Sequence, residues 1–211
     1  MLISIEGNIG SGKSTLVEYL KTIGNYIFVD EPVSEWLTIK DKDGSNALEC
    51  FYKNQKDNAF CFQILAYITR LKKLMDKLKE NPKNTIIITE RSIETDRNVF
   101  AKMLYEDGFL SSIEWETYNY WFDTFKETSK VDLIIYIKTD PEKCLERINI
   151  RNRIEENSIS IDYLIKCDKY HNNWLLSLNE NIITINGNQN VDSIRNKAIE
   201  IINDISNINI I

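Results

Sequence analysis

The sequence predicts an α/β fold in which a five-stranded parallel sheet carries helices on both of its faces. Short apolar runs rich in β-branched residues alternate with longer helix-like segments along the whole chain. Strands that alternate with helices pair in parallel through right-handed crossovers. No internal repeat, low-complexity run or Gly/Ser linker divides the 211 residues. We therefore expect a single domain over residues 1–211.

The strands are predicted from five short apolar runs. Each run has the length and the Ile or Val content that are typical of a strand buried on both faces of a parallel sheet. The predicted strands occupy residues 2–5, 26–29, 85–89, 133–137 and 182–185.

The helices are predicted from the segments between these strands, at residues 13–22, 46–53, 56–79, 94–106, 111–126, 141–151, 162–178 and 191–206. Two boundaries have a local cause. Pro82 should end the long helix, because the residue before a proline is pushed out of the α region. Asp140 precedes Pro141, which predicts an N-capping carboxylate followed by proline at the first helical position.

Composition limits the possible partners and compartments. The chain has 26 Lys and Arg against 32 Asp and Glu, for a net charge of −6, so a partner bound through a nucleic-acid phosphate backbone is not expected. A charged fraction of 27% argues against membrane spans. The four cysteines are scattered without a CxxC pair, which predicts reduced, buried thiols. No leader is expected before the first strand, so the sequence predicts a cytoplasmic protein without a membrane or nucleic-acid polymer partner.

Residues 7–14 match the phosphate-binding pattern GxxxxGK[ST] between a predicted strand and a predicted helix. In such loops glycines let backbone N–H groups and a helix N-terminus approach phosphate oxygens. Lys13 would add a full positive charge, and Ser14 could ligate Mg²⁺. The predicted nucleotide-binding residues are Gly7, Asn8, Ile9, Gly10, Ser11, Gly12, Lys13, Ser14 and Thr15. The loop predicts nucleoside triphosphate binding, but it does not separate kinases from motors and switches.

Charged side chains follow the second and third predicted strands. Glu31 comes after the second strand, and Glu90 and Arg91 come after the third. Open α/β sheets bind ligands at this carboxyl edge, where a carboxylate within reach of a hydroxyl can act as a general base. The alternatives are an N-cap or salt-bridge role for Glu31, and a structural ion pair between Glu90 and Arg91.

Several further motifs occur in a fixed order behind the phosphate loop. They are Glu31-Pro32-Val33-Ser34-Glu35-Trp36, Tyr52, Phe62-Gln63, Glu90-Arg91-Ser92 and Arg147-x-x-x-Arg151-x-Arg153. With these motifs the chain resembles the deoxynucleoside kinase family over residues 1 to about 190, and it is most similar to the deoxycytidine and deoxyguanosine kinase branch. The resemblance implies a P-loop kinase fold and transfer of phosphate from ATP, with Mg²⁺, to the 5′-OH of a deoxynucleoside.

The resemblance also implies roles for the residues at the reacting atoms. Glu31 would take the proton from the 5′-OH, and Arg91 would hold the 5′-oxygen and Glu31 in line. Glu90 would join Ser14 at Mg²⁺. Lys13 would act on the phosphates as a catalytic residue.

The acceptor pocket is the second set of roles that the resemblance implies. Phe62 and Phe100 would cover the base from opposite sides, Trp36 would complete the apolar wall, and Gln63 would hydrogen-bond the base edge. Core packing is the alternative role for the aromatic residues. The residues assigned to the sugar 3′-OH are Tyr52 and Glu156.

Base preference is predicted from Arg70, Asp96 and Ala66. The first two would form a charged pair at the far end of the base, beside a small residue at position 66. In the family this combination accompanies deoxycytidine and purine deoxynucleosides, because the thymine methyl group would collide with the pair. A surface or interhelical salt bridge is the alternative.

Arg147, Arg151 and Arg153 lie at the end of a predicted helix, where a solvated basic patch is the plain interpretation. By resemblance they belong to a lid at about residues 147–157 that closes over the γ-phosphate. The loop containing Asn186, Gly187 and Asn188 is the expected adenine site. A homodimer through the helices at 56–79 and 111–126 is also expected.

Two other functions share the phosphate loop. A nucleoside monophosphate kinase such as thymidylate kinase needs a basic group for the acceptor's phosphate, whereas this chain has Glu31 after its second strand. A nucleotide-binding module without catalysis would form no ADP when deoxynucleoside is added.

Overall fold

A computed structural model describes residues 1–24, 26–81, 85–178 and 181–208 of the chain. Within these ranges the predicted α/β fold is confirmed: five parallel strands form one sheet with flanking helices. The strands are β1 (Leu2–Glu6), β2 (Ile27–Val29), β3 (Ile87–Glu90), β4 (Leu133–Lys138) and β5 (Ile182–Asn186).

The helices agree with most of the predicted segments. They are α1 (Lys13–Lys21), α2 (Val33–Thr38), α3 (Ala47–Lys53), α4 (Gln55–Glu80), α5 (Ile93–Thr95), α6 (Lys102–Glu106), α7 (Ser112–Phe125), α8 (Pro141–Arg151), α9 (Ile161–Leu176) and α10 (Val191–Ile208). Apart from the predicted helix at 94–106, every predicted helix lies within two residues of its observed bounds. The sequence did not predict α2 or a short 3₁₀ turn at Ile154–Glu156.

β1 lies in the middle of the sheet, whose strand order is β2-β3-β1-β4-β5. The chain thus builds one side of the sheet with β2 and β3 and the other side with β4 and β5. Ile5 pairs with Glu90, and Glu6 pairs with Tyr136, so the ends of three strands meet at one edge. A crevice at such a change of direction is where open α/β sheets bind ligands.

The main core lies on the two central strands. Ile3 and Ile5 of β1 and Ile135 and Ile137 of β4 are completely buried. They pack in one cluster with apolar residues of α1 and α10. Strands that are covered on both faces need apolar residues at successive positions, which explains why continuous apolar runs marked the strands in the sequence.

The predicted helix at 94–106 is interrupted by a π-helical segment, Asp96–Ala101, between α5 and α6. π-Helical turns are rare and are found often at functional sites. This one contains Asp96 and Phe100, both predicted substrate residues. The wider turn therefore sets where these two side chains lie.

Three local predictions need correction or fall outside the described residues. Asp140 stands at the N-cap of α8, but its side chain makes no capping hydrogen bond, so the predicted capping carboxylate is wrong; Pro141 does begin the helix. Glu90 is the last residue of β3 and does not follow the strand. Pro82 lies outside the described residues. None of the helices in the described ranges has the length and apolar character needed to cross a membrane.

Candidate active site

A cavity of about 630 Å³ lies at the carboxyl edge of the sheet. It runs from an aromatic end beside α3 and α4, past the phosphate loop, to the start of α10. Every residue predicted for catalysis, acceptor binding or Mg²⁺ lines it, and so do all the predicted phosphate-loop residues except Gly7, Asn8 and Ser11. The structure therefore brings together residues that are far apart in the sequence.

The three exceptions form the inner support of the phosphate loop. Gly7 has φ 152°, and a Cβ atom there would lie 2.6 Å from Ser11 Oγ and 2.7 Å from the Ile137 carbonyl oxygen. The Asn8 side chain donates to the Leu164 carbonyl oxygen at 2.9 Å and accepts from the Ile9 amide at 2.8 Å. The Asn8 side chain thus ties the loop to α9, and the absence of a side chain at Gly7 lets the loop pass close to β4.

Lys13 lies buried across this loop. Its ammonium donates to the carbonyl oxygens of Gly7 at 3.0 Å and Asn8 at 2.7 Å. Burial, together with the nearby Arg91 guanidinium, lowers the pKa of Lys13 to about 7. Burial and Arg91 thus destabilise the charged ammonium form of Lys13. An anionic phosphate would stabilise this form and is therefore a suitable partner.

Ser14 and Glu90 bring together the oxygen atoms that a magnesium ion prefers. The Ser14 hydroxyl donates to Glu90 Oε1 at 2.6 Å. Burial and the neighbouring Glu31 carboxylate raise the pKa of Glu90, an effect that a cation would oppose. Among the described residues no group of three or more His, Cys, Asp or Glu could hold a metal ion. A single carboxylate with a hydroxyl fits Mg²⁺, which keeps waters and substrate phosphates as its other ligands.

Glu31 lies between the phosphate loop and the aromatic end. Its Oε1 accepts hydrogen bonds from Arg91 Nη1 at 2.5 Å and Arg70 Nη2 at 3.1 Å. Burial alone would raise the pKa of Glu31, but Arg91 and Arg70 lower it to about 2. The described residues donate only to Oε1. Near neutral pH the carboxylate is thus ionised, and its second oxygen is available for a ligand.

Arg70 is buried and connects several groups at the base of the cavity. Its Nε donates to Asp96 Oδ2 at 2.8 Å, and its Nη1 donates to the Glu90 carbonyl oxygen at 2.7 Å. Burial raises the pKa of Asp96 although Arg70 opposes this shift. The pair joins α4 to the π-helical segment, with 3% and 4% of the two side chains exposed. Of the two alternatives, a surface salt bridge is therefore wrong, whereas an interhelical salt bridge is what the structure shows, and both residues also line the cavity.

The aromatic end contains one residue that the sequence analysis missed. Phe51 stacks on Phe62 with ring centroids 4.6 Å apart, and Trp36 meets Phe62 edge-on at 5.3 Å. Buried Gln63 Oε1 has no hydrogen-bond partner among the described residues. A flat apolar ligand with a donor at its edge would satisfy it. Phe51 precedes Tyr52 directly, and this neighbouring pair of aromatic residues was the available signal.

Phe100 lies on another wall of the cavity, where the Arg91 guanidinium sits 5.3 Å from its ring centroid. Ala66 is buried on the α4 side of the same cavity. Tyr163, which the sequence analysis also missed, meets Tyr52 edge-on at 6.4 Å. Burial and the Glu156 carboxylate raise the pKa of Tyr52, so its hydroxyl stays protonated as a hydrogen-bond donor.

The three predicted lid arginines have different partners. Arg147 donates to the backbone carbonyl oxygens of Ser11 at 2.9 Å and Gly187 at 3.0 Å. Arg151 and Arg153 both bind the buried Glu156 carboxylate, Arg153 at 2.8 Å. Arg147 therefore ties the phosphate loop to the loop after β5, while the other two form one cluster with Glu156.

The far end of the cavity differs from the expected adenine loop. Asn186, Gly187 and Asn188 do not line it, and Asn188 Oδ1 accepts from the Asp140 amide at 3.0 Å. The lining there comes from Val191, Ile194 and Arg195 at the start of α10. Their helical spacing resembled an ordinary core face, so the sequence offered no signal for this wall.

Comparisons with known proteins show the family of the chain. A family model for deoxynucleoside kinases matches residues 3–210. A probable deoxycytidine kinase of fowlpox virus is 38% identical over 211 residues, which cover 96% of this chain and 86% of the relative. Human deoxycytidine kinase is 38% identical over 195 residues, covering 82% of this chain and 75% of the relative. The mitochondrial deoxyguanosine kinase of Xenopus laevis is 34% identical over 191 residues, covering 82% and 72%.

The family match spans nearly the whole chain. The chain belongs to the deoxynucleoside kinase family.

Proposed function

We propose that this kinase transfers the γ-phosphate of ATP to the 5′-OH of deoxycytidine, deoxyguanosine and deoxyadenosine in preference to thymidine, forming the 5′-monophosphate and ADP. The observation that carries this proposal is the ionised Glu31 between the phosphate loop and the aromatic cavity. A carboxylate there accepts a hydrogen bond from an alcohol and repels an acceptor that already has a phosphate.

Glu31 serves chiefly to orient the hydroxyl. A carboxylate whose pKa is about 2 is a weak base, so it does not remove the proton before the reaction begins. In a loose phosphoryl-transfer transition state, the bond from the phosphorus to the leaving oxygen breaks early. As the new oxygen–phosphorus bond forms, the hydroxyl becomes acidic and its proton passes to Glu31 Oε2. Arg91 and Arg70 keep Glu31 in place during this step.

Magnesium would be held by Ser14 and Glu90 together with phosphate oxygens. When bound, it would neutralise charge on the β- and γ-phosphates. Lys13 and the loop amides from Gly10 to Thr15 would bind the same phosphates from the protein side. The hydroxyl–carboxylate contact of 2.6 Å supports this assignment.

We propose that residues 1–211 form one domain and that the lid at residues 147–157 moves within it. Arg151 and Arg153 would exchange the Glu156 carboxylate for phosphate oxygens when the lid closes. Glu156 and Tyr52 would then be available to the sugar 3′-OH. Arg147, held by two backbone carbonyl groups, would support the phosphate loop with little movement.

Base preference follows from the buried Arg70–Asp96 pair and Gln63. An amide can satisfy both the donor and the acceptor at the edge of cytosine or a purine. The thymine methyl group would need to displace the charged pair, and breaking a buried pair costs about 3–5 kcal/mol. Ala66 leaves room for the base without relieving this conflict.

The test is an ADP-release assay with ATP, Mg²⁺ and each of the four deoxynucleosides. We expect kcat/KM for thymidine to be at least about tenfold lower than for the other three. Thymidine as the best substrate would overturn the base preference. ADP release only with deoxynucleoside monophosphates would instead favour the monophosphate kinase, and no acceptor-dependent ADP with any substrate would favour the non-catalytic module.

We also propose a homodimer through α4 and α7. Ile113, Tyr120 and Trp121 on α7 and Ile68 on α4 are large apolar side chains with 44–74% of their surface exposed. Light scattering should give a mass near twice 24.7 kDa, and Tyr120→Glu with Trp121→Glu should give the monomer mass. The matched control is Leu176→Glu, which is exposed on α9 and should stay dimeric. A monomeric wild type would overturn this proposal.

The cytoplasm is the proposed compartment. Cys50, Cys61, Cys144 and Cys167 are all free thiols, as is usual in reducing compartments. Cys144 and Cys167 are buried as expected, but Cys50 is only half-buried and Cys61 is exposed, so the expected burial is wrong for these two. A fluorescent fusion should distribute through the cytoplasm, and its concentration in a secretory or mitochondrial compartment would contradict the assignment.

A further inference from the structure

Glu6, the last residue of β1, is a completely buried carboxylate outside the cavity lining. Its Oε1 accepts hydrogen bonds from Ser4 Oγ at 2.5 Å and Ser92 Oγ at 2.8 Å, and its Oε2 accepts one from Thr95 Oγ1. No Lys or Arg of the described ranges forms an ion pair with it. A buried carboxyl group is costly without hydrogen-bond partners, and here three hydroxyl groups supply them.

The backbone next to this carboxylate is strained at one residue. Arg91 has φ 62°, in the left-handed region. The other non-glycine residues with positive φ in the described ranges are Asn152 and Asn181, and asparagine tolerates this conformation well. Arginine does not. A strained residue at a functional site persists only when its surroundings hold it there.

Hydrogen bonds hold Arg91 on both sides. Its amide donates to the Ile5 carbonyl oxygen at 3.0 Å, and its carbonyl oxygen accepts from Thr89 Oγ1 at 2.7 Å. The next residue, Ser92, binds Glu6, and so does Thr95 at the end of α5. In this conformation the Arg91 guanidinium reaches Glu31 Oε1.

We propose that Glu6 is a positioning residue which, through Ser92 and Thr95, keeps Arg91 in the strained conformation from which it meets Glu31. A carboxylate suits this role because it accepts hydrogen bonds from all three hydroxyl groups at once. An amide could not do so, because its NH₂ group donates hydrogen bonds and cannot accept them. The inference rests on the proposed function, in which Arg91 acts at the 5′-oxygen.

The test is a double-mutant cycle between Thr95→Val and Arg91→Ala. For each variant we would measure kcat and KM with ATP and deoxycytidine, and the melting temperature. Val has nearly the shape of Thr but cannot donate. We expect Thr95→Val to lower kcat by about 10- to 100-fold with little change in KM for ATP. In the Arg91→Ala background the same substitution should cause no further loss, because its effect passes through Arg91.

Two further variants complete the design. Thr95→Ser, which restores the hydroxyl, should recover most of the wild-type kcat. Thr22→Val removes an exposed hydroxyl that donates to the Tyr19 carbonyl oxygen and should leave kcat unchanged. Glu6→Gln should lower kcat as Thr95→Val does; if it does not fold, the Thr95 cycle still decides.

Two results would overturn the inference. One is an unchanged kcat in Thr95→Val, with or without a lower melting temperature, since a purely structural contact would behave in that way. The other is a loss that adds fully to that of Arg91→Ala. Neither result would affect the proposed function, because wild-type activity with deoxynucleosides tests that function separately.

Discussion

Lys13 should take up a proton when ATP binds. In the ligand-free protein its pKa is lowered to about 7, first by burial and then by Arg91. At pH 8 only about one molecule in ten would carry the ammonium form. Triphosphate oxygens favour that form, so binding should take up about 0.9 proton at pH 8 and only about 0.1 proton at pH 6. Above pH 7 the affinity for ATP should fall by up to about tenfold for each pH unit.

The assay is titration calorimetry of ATP binding at pH 6 and pH 8, each in two buffers that differ in ionisation enthalpy. At pH 8 the phosphates of ATP are already deprotonated, so a net uptake reports the protein. Lys21→Met is the matched control, because Lys21 is a surface lysine paired with Glu18 and Asp30, and the uptake should persist in it. If the wild type takes up no proton at pH 8, Lys13 does not gain a proton when ATP binds, and the prediction is wrong.

The lowered pKa of Lys13 also makes the free energy of unfolding depend on pH. The folded-state pKa of Lys13 lies below its ordinary value of 10.5, so between about pH 7 and 10.5 the unfolded chain binds a proton that the native protein lacks. The free energy of unfolding contributed by Lys13 should therefore rise with pH across this window. Below about pH 7 Lys13 is charged in the folded protein as well, so the full cost of burying its charge is present.

Three further predictions concern the lid, the loop and the core. Arg153→Ala should lower kcat by about 10²-fold in steady-state kinetics; an unchanged kcat would remove Arg153 from the lid. Gly7→Ala should abolish ATP binding in calorimetry while circular dichroism stays native, because its Cβ would lie 2.7 Å from the Ile137 carbonyl oxygen; wild-type affinity would contradict this. Ile135→Ala, at a fully buried position of β4, should lower the free energy of unfolding by about 2–5 kcal/mol in urea denaturation, and a loss under about 1 kcal/mol would show that the core relaxes around it.

Much of the fold could be predicted because parallel strands need apolar residues on both faces, which makes runs such as residues 133–137 visible in the sequence. The helix α2 has only six residues, too few for a periodic pattern to appear. The π-helical segment Asp96–Ala101 was not predictable either. Its extra residue per turn is stabilised by packing between distant parts of the chain, which local sequence does not encode.

The site residues could be placed in one cavity from motif order, but their pairing could not. Arg70 was expected to pair with Asp96, and it also donates to Glu31. Such contacts depend on how α4 crosses the ends of β2 and β3, which no spacing along the chain specifies. Glu6 was missed for a related reason, because two of its three hydroxyl partners, Ser92 and Thr95, come from the segment after β3.

In the proposed reaction an ionised Glu31 faces an uncharged alcohol beside the bound triphosphate. The most direct measurement compares deoxycytidine and deoxycytidine monophosphate as acceptors, for the wild type and Glu31→Gln, by chromatographic detection of the products. We expect the wild type to phosphorylate only the nucleoside, and Glu31→Gln to lower this kcat/KM by about 10²-fold or more while ATP affinity is retained. Preferential use of the monophosphate by the wild type, or an undiminished rate in Glu31→Gln, would contradict it.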